Sequence, residues 1–194
     1  MKRFVFIFFI LVLANSCMES REGKLELVKQ KGMEAVKELH ETIRSNLKKA
    51  IKERGAKGAI DFCYSKAEEI TRQVSEKVGF RIKRTSLKYR NENDKPDALD
   101  REVLTTLEEK FKKTGKLPDY LIRKVTINGK EFYVFYKPIQ VKKPCLKCHG
   151  DVNKMNPEIV KAIKEHYPED KAVNYKEGDF RGVIRVDIPA DKLK

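Results

Sequence analysis

The segment Cys145-Leu146-Lys147-Cys148-His149 holds the residue types and spacing that carry chemistry in this chain. Two cysteines three positions apart can each form a thioether to one of the two vinyl groups of haem. A histidine directly after the second cysteine sets its imidazole as an axial ligand of the iron. The segment therefore predicts one covalently attached haem c, bound through Cys145 and Cys148, with His149 on the iron. A zinc site would need further ligands at conventional spacing, and the sequence has no second C-x-x-C and no closely spaced histidine pair. A redox dithiol would open a helix straight after a strand within a βαβ unit, an order that this chain does not offer.

A six-coordinate iron needs a second axial ligand, for which Cys63, Met33, Met155, His40 and His166 are candidates. Cys63 lies on an apolar helical stripe with Ala59 and Ala67 one turn to either side. Small neighbours would let a flat porphyrin approach the helix closely, although an ordinary buried cysteine fits the same spacing. His40, beside an apolar helix face, is read as structural. So is His166, at a helix end where a cation suits the dipole. Met33 and Met155 are read as gap-fillers.

The compartment bears on all of this. Lys2 and Arg3 precede an apolar run from Phe4 to Ala14, and Ala14-Asn15-Ser16 supplies a small-x-small cleavage pattern. Residues 1–16 are thus expected to be a signal peptide. Cys17 follows at once, as in bacterial lipoproteins whose new N-terminal cysteine is lipidated, with plain cleavage as the alternative. On either reading the mature chain is a single domain, 17–194, on the periplasmic or extracytoplasmic face, and lipid at Cys17 would anchor it to the membrane. Covalent haem is attached outside the cytoplasm, so export and the motif support each other. Charged residues make up 37% of the chain and the formal charge is +14. The basic residues are spread out instead of forming a block, which with export argues against nucleic acid. They predict a solvated surface with some attraction for anionic lipid or an acidic partner.

The elements that must position the motif follow from periodicity. Val36, Leu39, Ile43, Leu47 and Ile51 mark a long helix over 25–54, stopped at Gly55. Ala59, Cys63, Ala67, Ile70, Val74 and Val78 mark a second helix, ended by Gly79. Residues 80–87 alternate as a strand. Asp97 caps a third helix with the stripe Leu99, Val103, Leu107 and Phe111, stopped near Gly115. Runs 121–127 and 131–139 flank Asn128-Gly129 as a hairpin. Asn156-Pro157 opens a helix to about Tyr167, and 182–188 is a last strand before Pro189. The fold class is α+β, with a mostly antiparallel sheet.

Six segments resemble, in order, a bacterial family of unknown function made of exported single-haem c-type proteins with a PAS-like fold. They are Ala59-Ile60-Asp61-Phe62-Cys63 with Ala67; residues 84–93, beginning Arg84-Thr85-Ser86; Tyr136-Lys137-Pro138-Ile139; Cys145 to Gly150; Tyr167 to Ala172; and Gly178 to Gly182. The resemblance implies a PAS-like domain with a long helical N-terminal extension and one haem. It also implies iron ligation by His149 and by Cys63 from the early helix. One departure is Asn174 before Tyr175, where the family usually has glycine.

The expected function is a redox or small-ligand sensor acting through a partner. An anionic thiolate on iron stabilises the ferric state and gives a low-potential haem. The alternative is a periplasmic electron-transfer cytochrome c, with Lys142, Lys143 and Lys147 steering an acidic redox partner. No acid–base cluster marks an enzyme. Arg84 and Arg90 are candidate partners of the haem propionates, against a surface-facing strand and loop.

Overall fold

The computed structural model describes side chains from residue 21 to 193, with the backbone of the first helix continuing N-terminally to Arg3. The expected leader and Cys17 lie outside the residues whose side chains are described. Among the described residues no helix is long and apolar enough to cross a membrane.

Helix α1 spans Arg3–Ser65 and is broken at Gly55, whose φ of 65° and ψ of −156° no helix contains. The expected stop is therefore a hinge between two limbs, with Cys63 on the second. A single residue, Lys66, separates this limb from α2, Ala67–Val78, so the helix expected from Ala59 to Gly79 is divided in two. Gly79 closes α2 in the left-handed conformation, at φ 74°.

The chain then builds β1 (Arg81–Thr85), α3 (Ala98–Thr114), β2 (Leu121–Ile127), β3 (Lys130–Gln140), the single-turn α4 (Leu146–His149), α5 (Pro157–His166) and β4 (Phe180–Pro189). Asn128 and Gly129 take φ values of 51° and 76°, the left-handed pair a two-residue hairpin requires. The four strands form one antiparallel sheet in the order β1-β4-β3-β2. With the long N-terminal helix, this is the α+β, PAS-like architecture that the sequence predicts.

The sheet is covered on both faces, and strand alternation assigns each side chain. Phe135, Val186 and Ile188 join Val28, Leu39, Ile70 and Val74 under α1 and α2. Their neighbours Val134, Tyr136 and Val183 join Val103, Leu104 and Leu107 under α3. Gly32 lets α1 approach the sheet, because a Cβ there would lie 2.4 Å from the Phe135 ring. Ile51, placed on the helical stripe by its spacing, is 46% exposed, and its neighbour Ala50 is the residue that turns into this core.

Beneath α3 the sheet carries ions as well as apolar residues. Asp100 is fully buried and accepts from Lys83 Nζ at 2.7 Å, Arg185 Nη1 at 3.0 Å and Tyr136 Oη at 3.2 Å. Asp97 caps α3 by accepting from Asp100 N at 2.8 Å, and it pairs with Arg185 at 2.7 Å. Burial pushes the Asp97 carboxyl up, but the Asp100 amide and the Arg185 charge outweigh it and hold the group below its ordinary value. A carboxyl depressed on folding stabilises the fold above its unfolded pKa of about 3.9, and that contribution disappears as pH falls through the folded value. Asp97→Ala is expected to cost about 1 kcal/mol at neutral pH. Urea denaturation at several pH values should show the difference from wild type shrinking below about pH 4.

Candidate functional site

The motif follows β3. A one-turn approach, Lys143–Cys145, leads into α4, Leu146–His149. Gly150 ends α4 where a Cβ would lie 2.5 Å from the Leu146 carbonyl, so glycine is required for the chain to leave this turn. Two backbone hydrogen bonds and the Arg90 side chain then hold the turn against residues 170–175. Tyr175 N donates to His149 O at 2.9 Å and Asn174 N to Gly150 O at 2.8 Å. Arg90 Nη2 donates to Cys148 O at 2.7 Å, to Ala172 O at 3.2 Å and to Asp170 Oδ2 at 2.9 Å. Asn174 occupies the left-handed region at φ 60°, where asparagine is the best tolerated replacement for glycine. The departure from the resembling family thus leaves the turn intact.

His149 is positioned as a metal-ligating imidazole is positioned elsewhere. Its Nδ1 lies 2.7 Å from the Ala172 carbonyl, an acceptor only, so Nδ1 carries the proton and Nε2 keeps its lone pair. Burial pushes its pKa well down, and Arg90 and Arg181 push it further, so the ring is neutral at pH 7. The Tyr175 ring stands edge-on to it, with centroids 6.4 Å apart.

Cys63, Cys145 and Cys148 are all free thiols. Cys63 is half-buried on the second limb of α1, with Arg84, Cys148, Arg90 and Asp94 as its charged or titratable neighbours. Ala59 and Ala67, to either side, are 4% and 1% exposed. Burial pushes both the Cys63 and Cys148 thiols above their ordinary values. The limb is fixed by α5: Ile60 packs with Ile159, Ala162, Ile163 and Tyr167, and His166 Nε2 meets Asp61 Oδ1 at 2.9 Å.

The structure thus brings Cys63, Cys148, His149, Arg84 and Arg90 into one neighbourhood, with Cys145 in the adjoining cluster beside Leu146, Ala172 and Tyr175. The other candidates fall elsewhere or are otherwise engaged. His40 is exposed, which corrects its reading as a buried structural histidine: it sits one position past the apolar stripe. Met33 packs into the main core, and His166 is spent on Asp61 and on stacking with Tyr64 at 4.4 Å. Met155 fills the α5 cluster that Cys148 also touches.

Arg84 and Arg90 are not surface-facing. Their side chains are 29% and 10% exposed, and the Nε of each is buried without a hydrogen-bond partner. Arg84, His149, Asp94, Tyr89, Ser86 and Arg181 line a cavity of about 190 Å³. Two thiols at C-x-x-C spacing, a neutral imidazole with a free Nε2, a third, half-buried thiol and guanidinium N–H groups without partners among the described residues fit the needs of a covalent haem with anionic substituents. Arg181 was missed from sequence, because alternation along β4 does not mark which of its two arginines faces a site.

Among curated proteins none matches the chain significantly. Among solved structures it is similar to the crystal structure of the cyanobacterial haem-protein Tll0287, at 29% identity and a TM-score of 0.52, covering 66% of this chain and 71% of that one. Residues 21–189, nearly all of the described chain, match the Tll0287-like family (Tll0287), and the chain belongs to that family.

Proposed function

We propose that the chain is an exported c-type haem protein, held by Cys145, Cys148, His149 and Cys63, that senses redox state or a small ligand and signals through a partner. The observation that carries this reading is the 2.7 Å contact of His149 Nδ1 with the Ala172 carbonyl, which leaves Nε2 as the free ligand; Arg90 is a neighbour both of this ring and of the half-buried thiol of Cys63. The solved relative is described as a haem-protein, in keeping with it. A haem held there supplies a one-electron ferric–ferrous couple. Arg90 fixes the motif turn through the Cys148 and Ala172 carbonyls. Cys63 links the site to α1: its burial favours the protonated thiol whenever the sulfur is not held as thiolate. The limb that carries it runs through the Gly55 hinge toward the N-terminus. Two positions of such a limb are the bistable element a signalling protein needs. Lipid at Cys17 would keep the protein at a membrane, and the reading is of a sensor, not an enzyme.

A second reading, electron transfer, is favoured by one surface. Lys143, Lys147, Lys154 and Lys176 rim a cleft of about 820 Å³ that exposes Leu146 of the motif, and only Lys154 is paired, with Asp151 at 3.6 Å, among the described residues. Such a collar would steer an acidic partner. Carbon monoxide separates the two. On the sensor reading the dithionite-reduced protein binds it, with a shift of the main absorption band. Failure to bind under any reducing condition would remove the sensor and leave the electron carrier.

A further inference from the structure

Three arginines surround His149, and their partners sort them into two roles. Arg90 is engaged at Nη2 by the Cys148 and Ala172 carbonyls and by Asp170, and although its Nε, like that of Arg84, has no partner among the described residues, it does not line the cavity beside the imidazole. Arg84 and Arg181 do line it. Arg84 meets its nearest acid, Asp94, only at 3.8 Å, and its Nε has no partner. Arg181 is more exceptional. Its guanidinium lies over the Tyr175 ring at 5.3 Å and donates to the Lys88 carbonyl at 3.1 Å, and among the described residues it has no carboxylate within 4.0 Å. A half-buried charge without a counter-charge leaves its loss of hydration uncompensated.

The backbone is built to hold it there. Gly182, at φ 147°, lies so close to β1 that a Cβ would sit 2.5 Å from the Thr85 carbonyl. Ser86 Oγ donates to Arg181 O at 2.7 Å, fixing the backbone from which the side chain departs. Against these positive groups the cavity offers one acid, Asp94, itself pushed toward the neutral form by burial.

Resting on the haem reading, we infer that Arg84 and Arg181 form the seat for the carboxylates of the bound macrocycle, while Arg90 is a positioning residue for the motif turn. This reassigns one of the two arginines expected from sequence. Guanidinium groups suit the task because each presents a planar fork of donors to a carboxylate.

The test is resonance Raman spectroscopy of the full chain carrying attached haem, read at the propionate-bending band, which reports hydrogen bonding to those carboxylates. Arg181→Gln and Arg84→Gln are expected to shift the band. Arg181→Lys should shift it part of the way, because an ammonium gives single-point bonds in place of a fork. Arg90→Gln should leave the band in place and instead lower the yield of attached haem. An unchanged band in Arg181→Gln would overturn the assignment, as would an equal shift in Arg90→Gln. If Arg181→Gln does not load, the Arg181→Lys band decides alone. A wild-type chain without attached haem would refute the haem reading itself, and that result is seen before any variant is made.

Discussion

Cys63→Ser is expected to abolish the thiolate features of the ferric absorption spectrum and to raise the midpoint potential. Axial ligation sets haem potentials over a range of about 0.8 V, and an anionic sulfur lies toward the low end of it. Serine is close to isosteric but a poor iron ligand, so the fold should survive while the sixth position is lost or taken by another group. The site explains why a thiol suits this position. Cys63 is half-buried, with the small side chains of Ala59 and Ala67 one turn to either side, and shares its surroundings with Cys148, Arg84 and Arg90. Those arginine charges lower the thiol pKa, while burial raises it by more. A ferric centre would tip that balance toward thiolate, since coordination deprotonates a thiol. Spectra and a potentiometric titration of wild type and variant check this. An unchanged spectrum would make Cys63 an ordinary core residue and would favour the electron carrier with a different ligand.

The second large effect lies away from the site. Arg185→Met should destabilise the fold by about 3–5 kcal/mol, the usual cost of removing one partner from a buried ion cluster. Arg185 is 2% exposed and pairs with Asp187 at 2.5 Å, Asp97 at 2.7 Å and Asp100 at 3.0 Å. Without it, Asp100 keeps Lys83, the Tyr136 hydroxyl and the Asp97 amide at 3.2 Å, and Asp187 keeps Arg81 at 2.9 Å. The loss is a large share of the roughly 5–15 kcal/mol that holds an ordinary domain together. Arg185→Met with Asp100→Leu should recover part of it, because an apolar pair of similar volume needs no counter-charge. Urea denaturation of both variants measures the effect. A single variant as stable as wild type would show that the cluster is not the keystone of the α3 face.

The local punctuation of this fold was legible in the residues. Gly79 and Gly115 are left-handed helix ends, Asn128-Gly129 is the hairpin, Asp97 is a cap, and Asn156-Pro157 starts α5. Each of these is decided by one or two residues acting on their own backbone. What could not be read depends on distant partners. The strand order β1-β4-β3-β2 puts the last strand between the first and third, and no local pattern encodes that. Nothing in the local pattern of α3 marks Asp100 as buried, since Arg185 reaches it from 85 positions away. Gly55 was read as a stop before a second helix from Ala59, whereas the chain resumes its helix at once, and the packing of Ile60 against α5 holds this second limb in place.

The site divides in the same way. The haem motif is contiguous and declares itself by spacing. Cys63 lies 85 positions before Cys148, and spacing alone left it level with an ordinary core thiol; the family resemblance raised it. Arg181 needed the structure, because its distinguishing property is the lack of a carboxylate partner among the described residues.

The central claim is a covalent haem, and mass spectrometry of the denatured protein tests it most directly. The full chain would be made in a host with the c-type haem assembly machinery, acid-extracted to remove loose haem, and weighed intact beside a Cys145→Ser/Cys148→Ser double variant. The account predicts a wild-type mass greater by one haem and a double variant at the mass of its polypeptide alone. A wild-type chain that carries no added haem under those conditions would contradict the account.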